Sequence, residues 1–177
     1  VSTRTSIEDS VTGRRNKITL TLDDVRPDQV ETYDGLIFIS GNMKDTELYW
    51  SHPTTQAYVE EAKRVDMPMA AICCSVPTLK KAVRDKRVSF FPLVRSKTIL
   101  KEAGAILQTV SVSVDGNIVT AEHQMATQMW IEAFCGVLQG DYDPPKLTDS
   151  GFVPRGKGRR KPPKELARLL ESVAESK

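Results

Sequence analysis

The stretch Met69–Leu79, MAAICCSVPTL, holds the residues of this chain best suited to chemistry. A short apolar run ends in two adjacent thiols, Cys73 and Cys74, and then breaks into what reads as a helix. A cysteine on such a strand-to-helix turn points its sulfur at the helix N-terminus, where free amides and the helix dipole stabilise a thiolate. The same amides can hold an oxyanion. A nucleophile of this kind also needs a base within hydrogen-bond reach, usually histidine. The chain has two histidines, His52 and His123. His52 stands in Ser51-His52-Pro53, a helix-start pattern. His123, in Thr120-Ala121-Glu122-His123-Gln124, is the candidate base, the alternative being a surface loop histidine. No Cys/His group has metal-ligand spacing, so neither a metal nor a cofactor is expected.

The third cysteine, Cys135, reads as a core residue on the last helix of the domain. Three cysteines, two of them adjacent, argue against a secreted disulfide framework, and neighbouring cysteines do not comfortably bridge. The expectation is an intracellular reducing compartment, either cytoplasm or organelle matrix. The chain begins at Val1, which a cleaved mitochondrial presequence would explain as well as a truncation.

The elements that must position these groups follow from the pattern. A length of 177 residues suits one domain with an appendage, and no apolar run of about 18 residues exists to span a membrane. Ile18–Leu22 alternates as a half-buried strand, and Asp23 to Val30 reads as a connection. Leu36-Ile37-Phe38-Ile39 is a continuous apolar run, as in a strand covered on both faces. A helix starts at Pro53, and Tyr49, Trp50 and His52 form either a contact patch or a cover over the sheet edge. A strand runs from Pro68 to Ile72 and a helix from about Pro77 to Asp85. A strand over Arg87–Phe90 leads to a helix over Pro92–Glu102, ended by Gly104. Ala105–Leu107 and Val110–Val114 are strands, and Asp115-Gly116 turns the chain into Asn117–Thr120. The helix Met125–Leu138 turns Met129, Trp130, Ala133, Phe134 and Val137 inward. Strands alternating with helices predict an α/β three-layer sandwich with a mainly parallel sheet, flavodoxin-like in layout.

Several of these segments share a family likeness. Tyr33-Asp34-Gly35-Leu36-Ile37-Phe38-Ile39-Ser40-Gly41-Asn42 resembles the "YDalvlPGG" strand and loop of the DJ-1/PfpI family, within the class I glutamine amidotransferase-like fold. Ala70-Ala71-Ile72-Cys73 resembles its "aaiC" nucleophile elbow, and Val112–Thr120 is similar to "vvvDGnlvTs". The likeness covers residues 1–140 and implies a commonly dimeric protein with Cys73 as nucleophile. It places Gly41, Asn42 and Cys74 in the oxyanion and elbow region. It also marks departures. The histidine that directly follows the cysteine in the hydrolase-like branch is here Cys74. The later histidine of the DJ-1-like branch would fall in Ala103–Leu107, where none stands. The elbow's Gly-Pro becomes Ser75-Val76 with Pro77 one place on, and "PGG" becomes Ser40-Gly41-Asn42. The family's first strand and helix, with the acidic residue that hydrogen-bonds the cysteine, would stand before the region matching Val1 to Thr5, and the expectation is that they are absent.

After Gly140 the texture changes. Residues 141–162 are a Pro/Gly-rich basic linker and residues 163–177 an amphipathic helix with Leu166, Leu169, Leu170 and Val173 on one stripe. Arg155, Lys157, Arg159, Arg160, Lys161 and Lys164 fall within ten residues, with no acid among them. Such an arm neutralises phosphates without reading sequence, and its alternative is a solvated linker. The reading is a non-catalytic DJ-1/PfpI-like subunit anchored by this arm in a larger assembly, with RNA a candidate partner and pairing with itself or a related chain plausible. The competing readings are a cysteine-dependent hydrolase, glyoxalase or deglycase using Cys73, and a redox-sensing thiol.

Overall fold

Met69-Ala70-Ala71-Ile72 is buried at every position because it is the middle of a sheet with a layer on each face. The computed structural model describes residues 6–8, 14–17, 20–22 and 24–142. The strands are β1 (Ser6–Glu8), β2 (Arg15–Lys17), β3 (Leu36–Phe38), β4 (Met69–Ile72), β5 (Arg87–Ser89), β6 (Ile106–Gln108), β7 (Val112–Asp115) and β8 (Ile118–Ala121). The helices are α1 (Met43–Tyr49), α2 (Pro53–Arg64), α3 (Val94–Glu102) and α4 (Thr127–Gln139). Short 3₁₀ helices cover Pro27–Thr32, Cys73–Lys81 and Gln124–Ala126.

The main sheet has the order β3-β4-β8-β7, with β3, β4 and β8 parallel and β7 returning antiparallel through the Gly116 turn at φ +63°. β5 and β6 form a parallel pair, and β1 and β2 an antiparallel one. Side chains link the β5–β6 pair to the main sheet: the Ser89 amide donates to Thr120 Oγ1 at 2.9 Å and Ser113 Oγ donates to the Arg87 carbonyl at 3.0 Å.

Strand alternation sorts the core. Met69, Ala71 and Ile118 face one layer, with Tyr58, Val59 and Ala62 of α2, Leu79, Val83 and Leu100 of α3. Ala70, Ile72, Val119 and Ala121 face the other, against Trp130, Ala133 and Phe134 of α4. This is the expected α/β sandwich with a mainly parallel sheet.

Several local expectations are corrected. Leu36–Ile39 is not covered on both faces: β3 is an edge strand of its sheet, and Ile37 and Ile39 are exposed. α1 was not anticipated, and neither was the 3₁₀ helix Pro27–Thr32, expected as a plain connection. The helix expected from Pro77 to Asp85 instead begins at Cys73 and ends at Lys81. Met129 is exposed, because it lies one residue, about 100° around the helix, from the stripe of Trp130, Ala133 and Phe134. Cys135 is half-buried, not a core residue. The strand expected over Ile18–Leu22 lies partly outside the described residues, and the basic linker and last helix lie wholly outside them apart from Asp141 and Tyr142.

Candidate functional site

Three parallel strands end on one edge of the sheet, and the loops that follow them build the site. β3 delivers Ser40, Gly41 and Asn42; β4 delivers Cys73; β8, paired in register so that Ile72 faces Ala121, delivers Glu122 and His123.

Cys73 takes φ +59°, in the left-handed region that costs a residue with a Cβ roughly 1–2 kcal/mol. Such strain persists only where the surroundings over-determine it. Here two serines do so. The Ser75 hydroxyl accepts from the Ile72 amide at 3.0 Å, and its proton is shared between the carbonyls of Phe38 at 2.7 Å and Ile72 at 2.8 Å. The Ser75 amide donates to Ser40 Oγ at 2.9 Å, and Ser40 Oγ donates to the Ile72 carbonyl at 2.5 Å. Trp50, buried to 1% exposure, adds an indole N–H donated to the Cys74 carbonyl at 2.8 Å. Trp50 is therefore a brace beneath the elbow and not a surface contact patch. Ser75 needs no positive φ where the family has glycine, and its side chain ties β3 to β4.

The two sulfurs lie 3.7 Å apart. Cys73 is half-exposed and Cys74 is buried. Burial pushes the Cys74 thiol up to about 11, helped by the hydrogen bond to Cys73, the charge of Cys73 and the carboxylate of Glu47. Cys74 therefore keeps its proton at neutral pH. Glu47, on α1, accepts from Arg95 Nη1 at 2.6 Å, and that guanidinium stands 5.7 Å from the Trp50 ring centroid. A Glu47–Arg95–Trp50 group thus borders the elbow. Sequence reasoning missed it, because its members come from separate elements at spacings that carry no motif.

The other sequence-predicted residues are engaged elsewhere. The Gly41 amide donates to Thr46 Oγ1 at 3.1 Å. Asn42 stands at φ −65° and caps α1, its Oδ1 accepting from the Asp45 amide at 3.1 Å. His123 caps the turn that precedes α4: its Nδ1 accepts from the Met125 amide at 3.2 Å, and its ring lies 5.9 Å from that of Phe91. A neutral imidazole has one donor and one acceptor nitrogen. With the Nδ1 lone pair occupied, the proton sits on Nε2, so His123 offers a donor to its surroundings and no acceptor. His52 caps α2, with its Nδ1 buried and unpartnered among the described residues. No group of three or more His, Cys, Asp or Glu side chains among the described residues could hold a metal ion. No helix among them is long and apolar enough to cross a membrane.

Comparison with known proteins agrees with this architecture. The model of the DJ-1/PfpI family matches residues 1–135. An uncharacterized protein of Methanocaldococcus jannaschii is 33% identical over 111 residues, which is 60% of this chain and 52% of that protein. The chain therefore spans about half the length of this relative. Among solved structures, a ThiJ/PfpI domain protein from Brachyspira murdochii superimposes with a TM-score of 0.66 at 20% identity, covering 76% of this chain and 75% of that one. DJ-1 from Schizosaccharomyces pombe gives 0.60 at 18% identity, covering 79% of each chain. At these identities the two structures speak for the fold.

Proposed function

The chain belongs to the DJ-1/PfpI family, and from that membership we propose that it is a non-hydrolytic member, a subunit held in a larger assembly through its basic C-terminal arm. RNA is the partner chemistry that the six cations of residues 155–164 suit. The observation that carries the non-hydrolytic half is the hydrogen bond from the Met125 amide to His123 Nδ1. It occupies the lone pair that a base would use, while the neighbour of the Cys73 sulfur is the persistently protonated thiol of Cys74. The hydrolase, glyoxalase and deglycase reading needs His123 to turn away from Met125 before it can take a proton from Cys73.

A second reading has its own support. The 3.7 Å approach of the Cys73 and Cys74 sulfurs on a half-exposed elbow suits reversible oxidation of Cys73, with Cys74 as the adjacent thiol. It is compatible with a non-hydrolytic role.

The test is the rate of Cys73 alkylation by iodoacetamide across pH, followed on the Cys73 peptide by mass spectrometry, in the wild type and in His123→Ala. The non-hydrolytic reading expects superimposable profiles. A profile displaced by more than about half a pH unit in His123→Ala would make His123 the partner of Cys73 and remove this reading's support.

A further inference from the structure

Adjacent residues of an extended strand send their side chains to opposite faces. Cys73 and Cys74 do not. Cys73 turns at φ +59° where the strand ends, and the two sulfurs lie 3.7 Å apart. Cys73 is half-exposed and Cys74 is buried, so the pair opens to solvent through Cys73. The backbone that carries them is held at three points. The Ile72 amide donates to the Ser75 hydroxyl at 3.0 Å, the Ser75 amide to Ser40 Oγ at 2.9 Å, and the Trp50 indole to the Cys74 carbonyl at 2.8 Å.

We propose that Cys73 and Cys74 form a dithiol chelate site for trivalent arsenic. The proposal goes beyond the subunit reading and does not depend on it.

The pair is disposed to remain a dithiol. Neighbouring Cα atoms stand about 3.8 Å apart, short of the roughly 4.4–6.8 Å that a disulfide spans. Two sulfurs are soft donors, suited to thiophilic centres and not to calcium or magnesium. Their spacing then selects by shape. With bonds to sulfur of about 2.3 Å, a linear centre would hold its two sulfurs about 4.6 Å apart. A centre with bond angles between a right angle and the tetrahedral value would hold them about 3.3–3.8 Å apart. The observed 3.7 Å falls in the bent range, against linear copper(I) or mercury(II). Tetrahedral zinc needs further donors, and no group of three or more His, Cys, Asp or Glu side chains among the described residues supplies them. Trivalent arsenic is pyramidal and takes three bonds. Two go to the sulfurs, and the third, to hydroxyl or carbon, is left for the exposed side of Cys73.

The chemistry is two condensations. For each cysteine an As–S bond forms, an As–OH bond breaks, and the thiol proton leaves with the hydroxyl as water. Arsenic stays trivalent, so no oxidant or reductant takes part. The second condensation is intramolecular, which makes the chelate outlast a single As–S bond. Sulfurs already held in place lose little freedom on closing it.

The experiment loads the full chain, reduced with a phosphine, with one equivalent of phenylarsine oxide, whose hydrate carries two As–OH groups. Intact mass, and mapping of the peptide that holds both cysteines, read the adduct. The adduct is then challenged with excess glutathione, a monothiol, or with 2,3-dimercaptopropanol, a dithiol. The wild type, Cys73→Ser, Cys74→Ser and Cys135→Ser are compared, with thermal melts to check the fold. The proposal expects one phenylarsenic group on the wild type and on Cys135→Ser, retained under glutathione and released by the dithiol. From Cys73→Ser and Cys74→Ser glutathione should strip it at least about tenfold faster, because one sulfur remains. Rapid stripping of the wild-type adduct by glutathione overturns the proposal on the wild type alone. Retention in Cys74→Ser, or loss in Cys135→Ser, moves the second sulfur elsewhere and also overturns it. The same challenge on the wild type unfolded in urea tests the geometry: faster stripping is expected, and equal retention would overturn selection by the folded elbow. None of these outcomes bears on turnover of substrate or on the arm, so this proposal and the subunit reading fail separately.

Discussion

The 3₁₀ helix from Cys73 to Lys81 has two ends built on opposite principles. At its first residue one atom is positioned. Cys73 is held at φ +59° by Ser40, Ser75 and Trp50, through hydrogen bonds of 2.5–3.0 Å between buried or part-buried groups. At its last residues only charge is positioned. Lys80 reaches back to Ser51 and Lys81 pairs with Glu60, both on flexible stems and with exposed partners. Placing a reactive sulfur requires fixed backbone geometry, whereas an exposed ion pair or hydrogen bond on a long side chain fixes little. The first end therefore depends on single buried contacts, and the second on exposed, replaceable ones.

That contrast predicts unequal sensitivities. The largest effect should follow Trp50→Ala, which empties a fully buried site and leaves the Cys74 carbonyl without its indole donor. A loss of about 3–5 kcal/mol is expected in urea unfolding. A loss under about 1 kcal/mol would show that the elbow does not depend on this brace. Ser75→Ala comes next. It orphans the buried Ile72 amide, at a cost of about 1–3 kcal/mol. If Ser75→Gly, with no hydroxyl, were as stable as the wild type, the elbow would not need the serine network. The smallest effect is a gain. Cys73→Gly should be more stable than Cys73→Ala by about 1 kcal/mol, because glycine adopts φ +59° without the Cβ penalty. Equal stability of the two variants would mean that Cys73 stores no strain.

Much of this was legible in the sequence, for reasons that explain the rest. The strands of the sheet and helices α2 to α4 announce themselves through apolar periodicity and through Pro53, Gly104 and Gly116. The elbow was legible as a strand that stops at Cys73. α1 was missed because its seven residues, MKDTELY, have no clear apolar stripe; the available signal was Asn42 followed three residues later by Asp45, a cap pattern. Exposure of Ile37 was hidden because an apolar run looks the same in an edge strand as in a central one. At the site, Cys73 could be named from the sequence, but Ser75 reads there as a lost glycine, and the structure gives its hydroxyl three contacts in exchange, to the Ile72 amide and the carbonyls of Phe38 and Ile72. The role of His123 turns on which nitrogen accepts a hydrogen bond, and no spacing encodes that.

The proposed subunit role implies that the elbow keeps its geometry without turning substrate over. The direct measurement is consumption of methylglyoxal by the wild type and by Cys73→Ser, at matched protein concentration and with thermal melts to confirm that both are folded. The same rate is expected for both, indistinguishable from buffer with an inert protein. Turnover by the wild type that disappears in Cys73→Ser would contradict it.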